Sequence, residues 1–158
     1  NNTPIYSAIE KNNIEVVKEL IEKGSSYMLK AYNPVLAACT RNAKDALEVL
    51  IKNGASLDVK SKDGITPLIF AAANNAVDVM KYLLAVNPKL DIDASSNSTY
   101  NALLYAASSG SKEAVEFLLS KGADIGYEDK NGKTALMIAM SKSKKDVVEI
   151  LKKNGAKK

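Results

Sequence analysis

The chain has 158 residues and a formal net charge of +4, and its 46% of apolar and 25% of charged residues are typical of a folded protein and exclude wholesale disorder. It contains no histidine and a single cysteine, Cys39, which excludes catalysis with a histidine base, zinc sites with histidine ligands and internal disulfides. Without an activated nucleophile or a glycine-rich phosphate loop, the chain is expected to be non-enzymatic, with no cofactor, no metal site and no small-molecule substrate.

Five short apolar segments recur along the chain, and each of them ends in an alanine. These alanines stand at positions 8, 38, 71, 106 and 139, so the spacing varies between 30 and 35 residues. A leucine follows twelve residues after each alanine: Leu20, Leu50, Leu83, Leu118 and Leu151. A period of this length indicates stacked repeats. We predict one repeat domain with five repeats, at approximately residues 1–29, 30–60, 61–94, 95–127 and 128–158.

Each unit predicts a helix, a tight turn, a second helix and a hairpin, in that order. Thr or Asn followed by Pro or Ala, as in Thr66-Pro67, marks the start of the first helix because the side-chain oxygen caps free amides there. The turn between the helices is predicted at Asn12, Asn42, Asn75, Gly110 and Ser143. A glycine such as Gly122 closes the second helix. Between units, Asp63-Gly64 and Asn131-Gly132 predict two-residue β-hairpins.

Three positions depart from a strict repeat. The first loop between units is about three residues short, around 27–32. The third unit inserts about two residues, reading Val-Asn-Pro-Lys at 86–89 where a glycine is expected. Cys39 takes the small-residue position that Ala72 and Ala107 occupy in other units, so we interpret it as a buried substitute for alanine and not as a reactive thiol.

The net charge is concentrated at the end of the chain. Residues 1–140 contain 15 basic and 16 acidic residues, whereas the last 18 contain seven lysines against Asp146 and Glu149. A phosphate-binding face along the whole molecule is therefore disfavoured, and so is nucleic acid as a partner. The Lys-rich end, Lys142 to Lys158, is kept as an alternative site for an anionic nucleic acid or membrane surface. No apolar run is long enough for a transmembrane segment, and a cytoplasmic location is favoured.

The repeat resembles the ankyrin repeat over essentially the whole chain. Its best matches are Asp-Gly-Ile-Thr-Pro-Leu at 63–68 and Leu-Leu-Ser-Lys-Gly-Ala-Asp-Ile at 118–125. The histidine that usually follows Thr-Pro-Leu in the family is replaced in every unit. The resemblance implies an all-α repeat solenoid of helix-turn-helix units joined by short β-hairpins. It also implies a monomeric protein-interaction module that binds through hairpin tips and first helices along a concave groove.

Carried onto this sequence, the resemblance designates three sets of partner-binding residues. The hairpin residue before each first-helix cap is large and apolar in three of four units, at Tyr32, Ile65, Tyr100 and Lys133. A polar rim is expected at Lys62, Asp63, Asn97, Ser98 and Lys130. The groove-facing ends of the first helices contribute Arg41, Asn74 and Ser109. An open alternative is that the hairpin tyrosines pack against the neighbouring hairpins and contact no partner.

Overall fold

In the computed structural model of the protein, which describes residues 4–23 and 33–157, the helices occur in five consecutive pairs. Within those two ranges there are ten helices and no β-strand, which confirms the predicted all-α repeat architecture. Their bounds are α1 Pro4–Glu10, α2 Ile14–Glu22, α3 Pro34–Thr40, α4 Lys44–Lys52, α5 Pro67–Ala73, α6 Val77–Val86, α7 Ala102–Ser109, α8 Lys112–Ser120, α9 Ala135–Ser141 and α10 Lys145–Lys153. In the same part of the chain, no helix is both long enough and apolar enough to cross a membrane.

The first helix begins where the capping residue predicts it in the second to fifth pairs. The side chains of Asn33, Thr66, Asn101 and Thr134 accept hydrogen bonds from backbone amides two or three residues further on. These bonds satisfy amides that have no partner inside the helix. Pro34 and Pro67 occupy the first helical turn, where proline has no amide to lose.

The turn inside each pair places one residue in the left-handed backbone region. That residue has φ between 49° and 83°, and it is Asn12, Asn42, Asn75, Gly110 or Ser143. Glycine adopts this region freely and asparagine tolerates it better than most side chains do. The predicted turn positions are thus confirmed in all five pairs.

The hairpins differ from the prediction. Their backbone bonds enclose three residues, not two, because Ser61 N donates to Ile65 O at 3.0 Å and Gly64 N donates to Ser61 O at 3.0 Å. Only the third loop residue has positive φ, at Gly64 and at the equivalent Thr99 and Gly132. A two-residue turn of the expected type requires positive φ at two successive residues, which Asp63 does not adopt.

The core lies between two layers of helices. The first helices pack against one another in chain order, the second helices do the same, and each pair packs internally. Leu50, Leu83, Leu118 and Leu151 expose at most 2% of their surface in this core, whereas Leu20 is only partly buried. The leucine that recurs twelve residues after each anchoring alanine is therefore a core residue in the second to fifth pairs.

Cys39 is fully buried among the stacked first helices, together with Ala72 and Ala107. Burial without a charged partner raises the pKa of its thiol to about 12, so the thiol stays protonated. A protonated, inaccessible thiol is unreactive. The structure therefore confirms the interpretation of Cys39 as a small core residue.

The insertion in the third pair lengthens its second helix. Helix α6 has ten residues, whereas the second helices of the other pairs have nine. Its C-terminal cap, Asn87, has φ −133°, outside the left-handed region that Gly54, Gly122 and Gly155 adopt. The chain consequently leaves α6 without the tight return that follows α4, α8 and α10.

Candidate functional site

Three hairpin tips, at residues 61–65, 96–100 and 129–133, form a continuous row that we call the hairpin ribbon. The second tip is bonded to the first by Asn97, whose backbone N donates to Asp63 O at 3.0 Å and whose Nδ2 donates to Lys62 O at 3.2 Å. Both bonds join residues of neighbouring units, about 35 positions apart in the chain. They therefore hold the two tips at a defined spacing.

A second set of bonds joins the next two tips. The backbone N of Lys130 donates to Thr99 Oγ1 at 2.8 Å, and the Tyr127 hydroxyl donates to Thr99 O at 3.2 Å. Thr99 has positive φ at this point, where the first and third tips have glycine. Its side chain therefore compensates for a strained backbone by tethering the neighbouring hairpin.

Gly64 lies where the first two tips approach most closely. A Cβ atom at this position would lie 2.3 Å from Asn97 Oδ1, and the backbone has φ +72°. The close approach requires glycine here, and glycine also adopts the left-handed conformation without strain.

Ile65 and Tyr100 are half-buried, and both pack against the core. The ring of Tyr100 contacts Tyr105 edge to face, with ring centroids 5.4 Å apart. Burial raises the pKa of the Tyr100 hydroxyl. The two residues thus pack against the core and stay partly exposed. Tyr32, the third member of the predicted stripe, lies outside the described residues.

Tyr105 extends this aromatic surface in a way that the sequence did not indicate. Its side chain is partly buried against the core, and its hydroxyl lies 3.3 Å from Ser98 Oγ. Ser98 also bonds Ser96 Oγ at 2.8 Å. Tyr100, Tyr105 and Ser98 therefore form one cluster on the ribbon, and only the position of an aromatic residue in α7 could have pointed to it.

The predicted polar rim is exposed along the ribbon. Its members are Lys62, Asp63, Asn97, Ser98 and Lys130, and Lys133, the hairpin residue before the cap of α9, is exposed beside them. The side chains of Asn97 and Ser98 are also engaged in bonds within the ribbon, as described above. The lysines and Asp63 thus provide the charged groups of the rim.

Arg41, Asn74 and Ser109 are exposed at the C-terminal ends of α3, α5 and α7, respectively. Arg41 pairs with Glu10 of the preceding helix pair, and a side-chain hydrogen bond with Tyr6 together with the charge of Glu10 raises the pKa of the guanidinium. The Asn74 amide donates to Phe70 O at 2.9 Å and so closes its own helix. The structure therefore brings these three residues to equivalent ends of neighbouring helices.

The third tip is organised by Asp129, which exposes 7% of its surface. Its Oδ1 accepts bonds from the backbone amides of Asn131 at 2.8 Å and Lys133 at 2.9 Å. These bonds, that of Lys133 most of all, hold the pKa of the carboxyl below its ordinary value of 3.8. In the first tip, Ser61 Oγ takes the same place and accepts from Asp63 N and Ile65 N.

Acid is therefore expected to weaken the third tip selectively. A lowered folded pKa means that Asp129 contributes stability above its unfolded pKa and loses it as the pH falls through the folded pKa. The amide chemical shifts of Asn131 and Lys133 should titrate with a midpoint below 3.8. The Asp129→Asn variant keeps an oxygen acceptor and should abolish the titration, and the Ile65 amide, bonded to a serine, serves as the internal control. A midpoint at or above the ordinary value would contradict this role of Asp129.

Within the described ranges, no group of three or more acidic or cysteine side chains is arranged so that it could hold a metal ion. What the hairpin ribbon and the neighbouring helix ends offer is a row of exposed polar groups and half-buried rings on a hydrogen-bonded backbone. Such a surface is chemically suited to recognition.

Comparisons with known proteins agree with this architecture. A family model described as ankyrin repeats (three copies) matches residues 35–129 and 90–158, and a model of the single ankyrin repeat matches residues 1–31. The human protein named transient receptor potential cation channel subfamily A member 1 is 28% identical, over 42% of this chain and 9% of the channel. The chain therefore spans less than a tenth of the length of that curated relative.

Proposed function

The chain belongs to the ankyrin repeat family, and from that premise we propose that it binds a protein partner through the hairpin ribbon and the exposed ends of the first helices. Ankyrin repeats are in general protein-interaction modules and are typically non-enzymatic. The proposal assigns the contact to the stripe Tyr32, Ile65 and Tyr100, to the polar rim, and to Arg41, Asn74 and Ser109.

The observation that carries this proposal is the bonding of one hairpin tip to the next. A surface already held in place loses little conformational entropy when a partner binds. The edge-to-face pair of Tyr100 and Tyr105 adds aromatic area whose orientation is set by packing. Rigid tyrosines with a polar hydroxyl are the residues that dominate many binding interfaces.

The alternative site at the Lys-rich end receives no support from the family. In α10, Val147, Ile150 and Leu151 are buried against α8 and α9, while the lysines of the helix are exposed. This is the pattern of any amphipathic helix that covers one side of a core, and it needs no anionic ligand to explain it. Lys158, the last residue of that segment, lies outside the described residues.

Partner capture should be lost when a bulky charge is placed on the first-helix side. Asn74→Arg puts a guanidinium at the end of α5, where we expect the partner to lie, and should weaken binding by about tenfold or more. Asn53→Arg is the matched control, because Asn53 is also exposed and closes a helix by donating to the carbonyl of Val49 at 2.8 Å, but that helix is a second helix. Binding is measured by pull-down of proteins from the source organism with each immobilised variant, followed by titration of the captured protein.

The result has two readings. A protein that is captured by the wild type and by Asn53→Arg, but lost by Asn74→Arg, would support the proposed surface. Equal capture by both variants, or selective loss with Asn53→Arg, would overturn it. Thermal unfolding of both variants shows whether either change affects binding through the fold.

A further inference from the structure

An open groove of about 600 Å³ lies between α6 and α8, on the side of the molecule that the second helices form. Its apolar surface comes from Leu84 of α6, from Leu90 and Ile92 in the loop that follows, and from Phe117 of α8. None of the residues that line it belongs to a first helix or to a hairpin tip. We call it the α6–α8 groove, and the function proposed above makes no use of it.

The insertion in the third pair creates this groove. In the second, fourth and fifth pairs an alanine just after the glycine donates its amide back to the helix, as Ala123 N does to Leu118 O at 3.1 Å. In the third pair the chain instead continues through Pro88 and makes a separate turn, in which Leu90 N donates to Asn87 O at 3.0 Å. Pro88, Leu90 and Ile92 of this loop form one wall of the groove.

The charged residues that line the groove are both basic. Lys81 and Lys121 line it, and the residues that line it include no acidic side chain. Lys121 Nζ lies 5.7 Å from the centre of the Phe117 ring, directly above the apolar surface. Lys81 has only a long contact of 3.9 Å with Asp78, in which both side chains are about 60% exposed. Such an exposed ion pair contributes little to stability, and Lys81 is therefore able to reorient toward a ligand.

We propose that the α6–α8 groove binds an acidic peptide segment of a partner protein. The segment inserts a large aliphatic or aromatic side chain against Leu90 and Phe117 and places carboxylates at Lys81 and Lys121. The volume lies in the range of sites that hold such groups, and the open shape allows an extended chain to lie across it. Carboxylates match the two lysines because opposite charges at the rim steer association and select the partner.

The probe for this site is a library of random peptides displayed on phage, selected on the immobilised chain. We expect the enriched peptides to combine acidic residues with a large apolar residue. Each is then made with a fluorescent label and titrated by anisotropy. Replacing its carboxylates by amides should weaken binding by about tenfold or more, because the attraction to both lysines is lost.

Protein variants then locate the binding site. Ala85→Glu places an acid and added bulk at the groove, and since Ala85 is exposed near the end of α6 the change should leave the fold intact. It should weaken binding by about tenfold or more, and so should the combined change Lys81→Gln and Lys121→Gln. The matched control is Asn53→Glu, which adds the same charge at the exposed end of another second helix, outside the residues that line the groove, and should leave binding unchanged.

Several results would overturn the proposal. These are enriched peptides without acidic residues, peptides whose binding falls with Asn53→Glu and not with Ala85→Glu, and a selection that yields no peptide sensitive to Ala85→Glu. The Asn74→Arg experiment tests the first-helix side of the molecule, whereas the peptide experiment tests the α6–α8 groove. Failure of the proposed function is therefore distinguishable from failure of the proposal for the groove.

Discussion

Leu83→Ala is expected to lower the free energy of unfolding by about 2–5 kcal/mol. Leu83 exposes 2% of its surface and lies in α6, at the centre of the layer of second helices. Its removal leaves a void that its neighbours cannot fill without moving the helix. A cavity of about 390 Å³ already lies beside it, between the loops after α4 and α6, so the new void would add to existing empty space.

The adjacent leucine provides the control for this prediction. Leu84 points toward the α6–α8 groove and is only partly buried. Leu84→Ala should therefore lower the free energy of unfolding by only about 1 kcal/mol, since the removed side chain buries less apolar area. Urea unfolding of both variants measures the difference. Equal costs, or a cost below about 1 kcal/mol for Leu83→Ala, would contradict the register of α6.

Asn75→Ala is the second change with a large expected effect, of about 2–3 kcal/mol. Asn75 stands in the turn of the third pair with φ 57°, where an alanine is strained by about 1–2 kcal/mol. Its Oδ1 also accepts the backbone amide of Ala114 at 2.9 Å, at the start of α8 in the next pair. Loss of that bond leaves a partly buried amide without its partner, at a cost of about 1 kcal/mol.

The same side chain also bonds an acidic residue of the next pair. Asn75 Nδ2 donates to Glu113 Oε2, and this bond is the main reason why the pKa of Glu113 is lowered. Asn42 repeats the arrangement one pair earlier, accepting from Val79 N and donating to Asp78 at 3.2 Å. The turn asparagines of the second and third pairs thus connect each pair to the one that follows.

Asn75→Gly separates the two contributions to the expected loss. Glycine adopts the positive φ freely but cannot make the bonds across the pairs, so this variant should lose only about 1 kcal/mol. Equilibrium unfolding gives both values, and the amide shift of Ala114 reports the lost bond in each variant. If Asn75→Gly were as costly as Asn75→Ala, the backbone strain would contribute nothing. If it cost nothing, the bonds across the pairs would be without effect.

The elements that could be predicted from the sequence are those that depend on near neighbours. The caps at Asn33 and Thr66 act on amides two or three residues away, and the left-handed turns at Asn42 and Asn75 follow from the side chain at that position. The leucines at a fixed distance from the anchoring alanines are core residues in the second to fifth pairs, because residues at helical spacing lie on the same face of a helix. The hairpin type was not predictable in this way, because the same Asp-Gly pair fits both two-residue and three-residue loops.

The sequence by itself therefore determined the family, the all-α repeat architecture and the positions of four recurring buried leucines, since each follows from a local pattern that recurs. Only the tertiary structure decided which polar side chains connect neighbouring units, as Asn97 and Asn75 do, and that Tyr100 and Ile65 are half-buried. It also decided that the insertion after α6 opens a groove between two lysines. The physical reason is that these features depend on distances between residues about one repeat apart. Those distances are set by how the helix layers stack, and no local pattern encodes them.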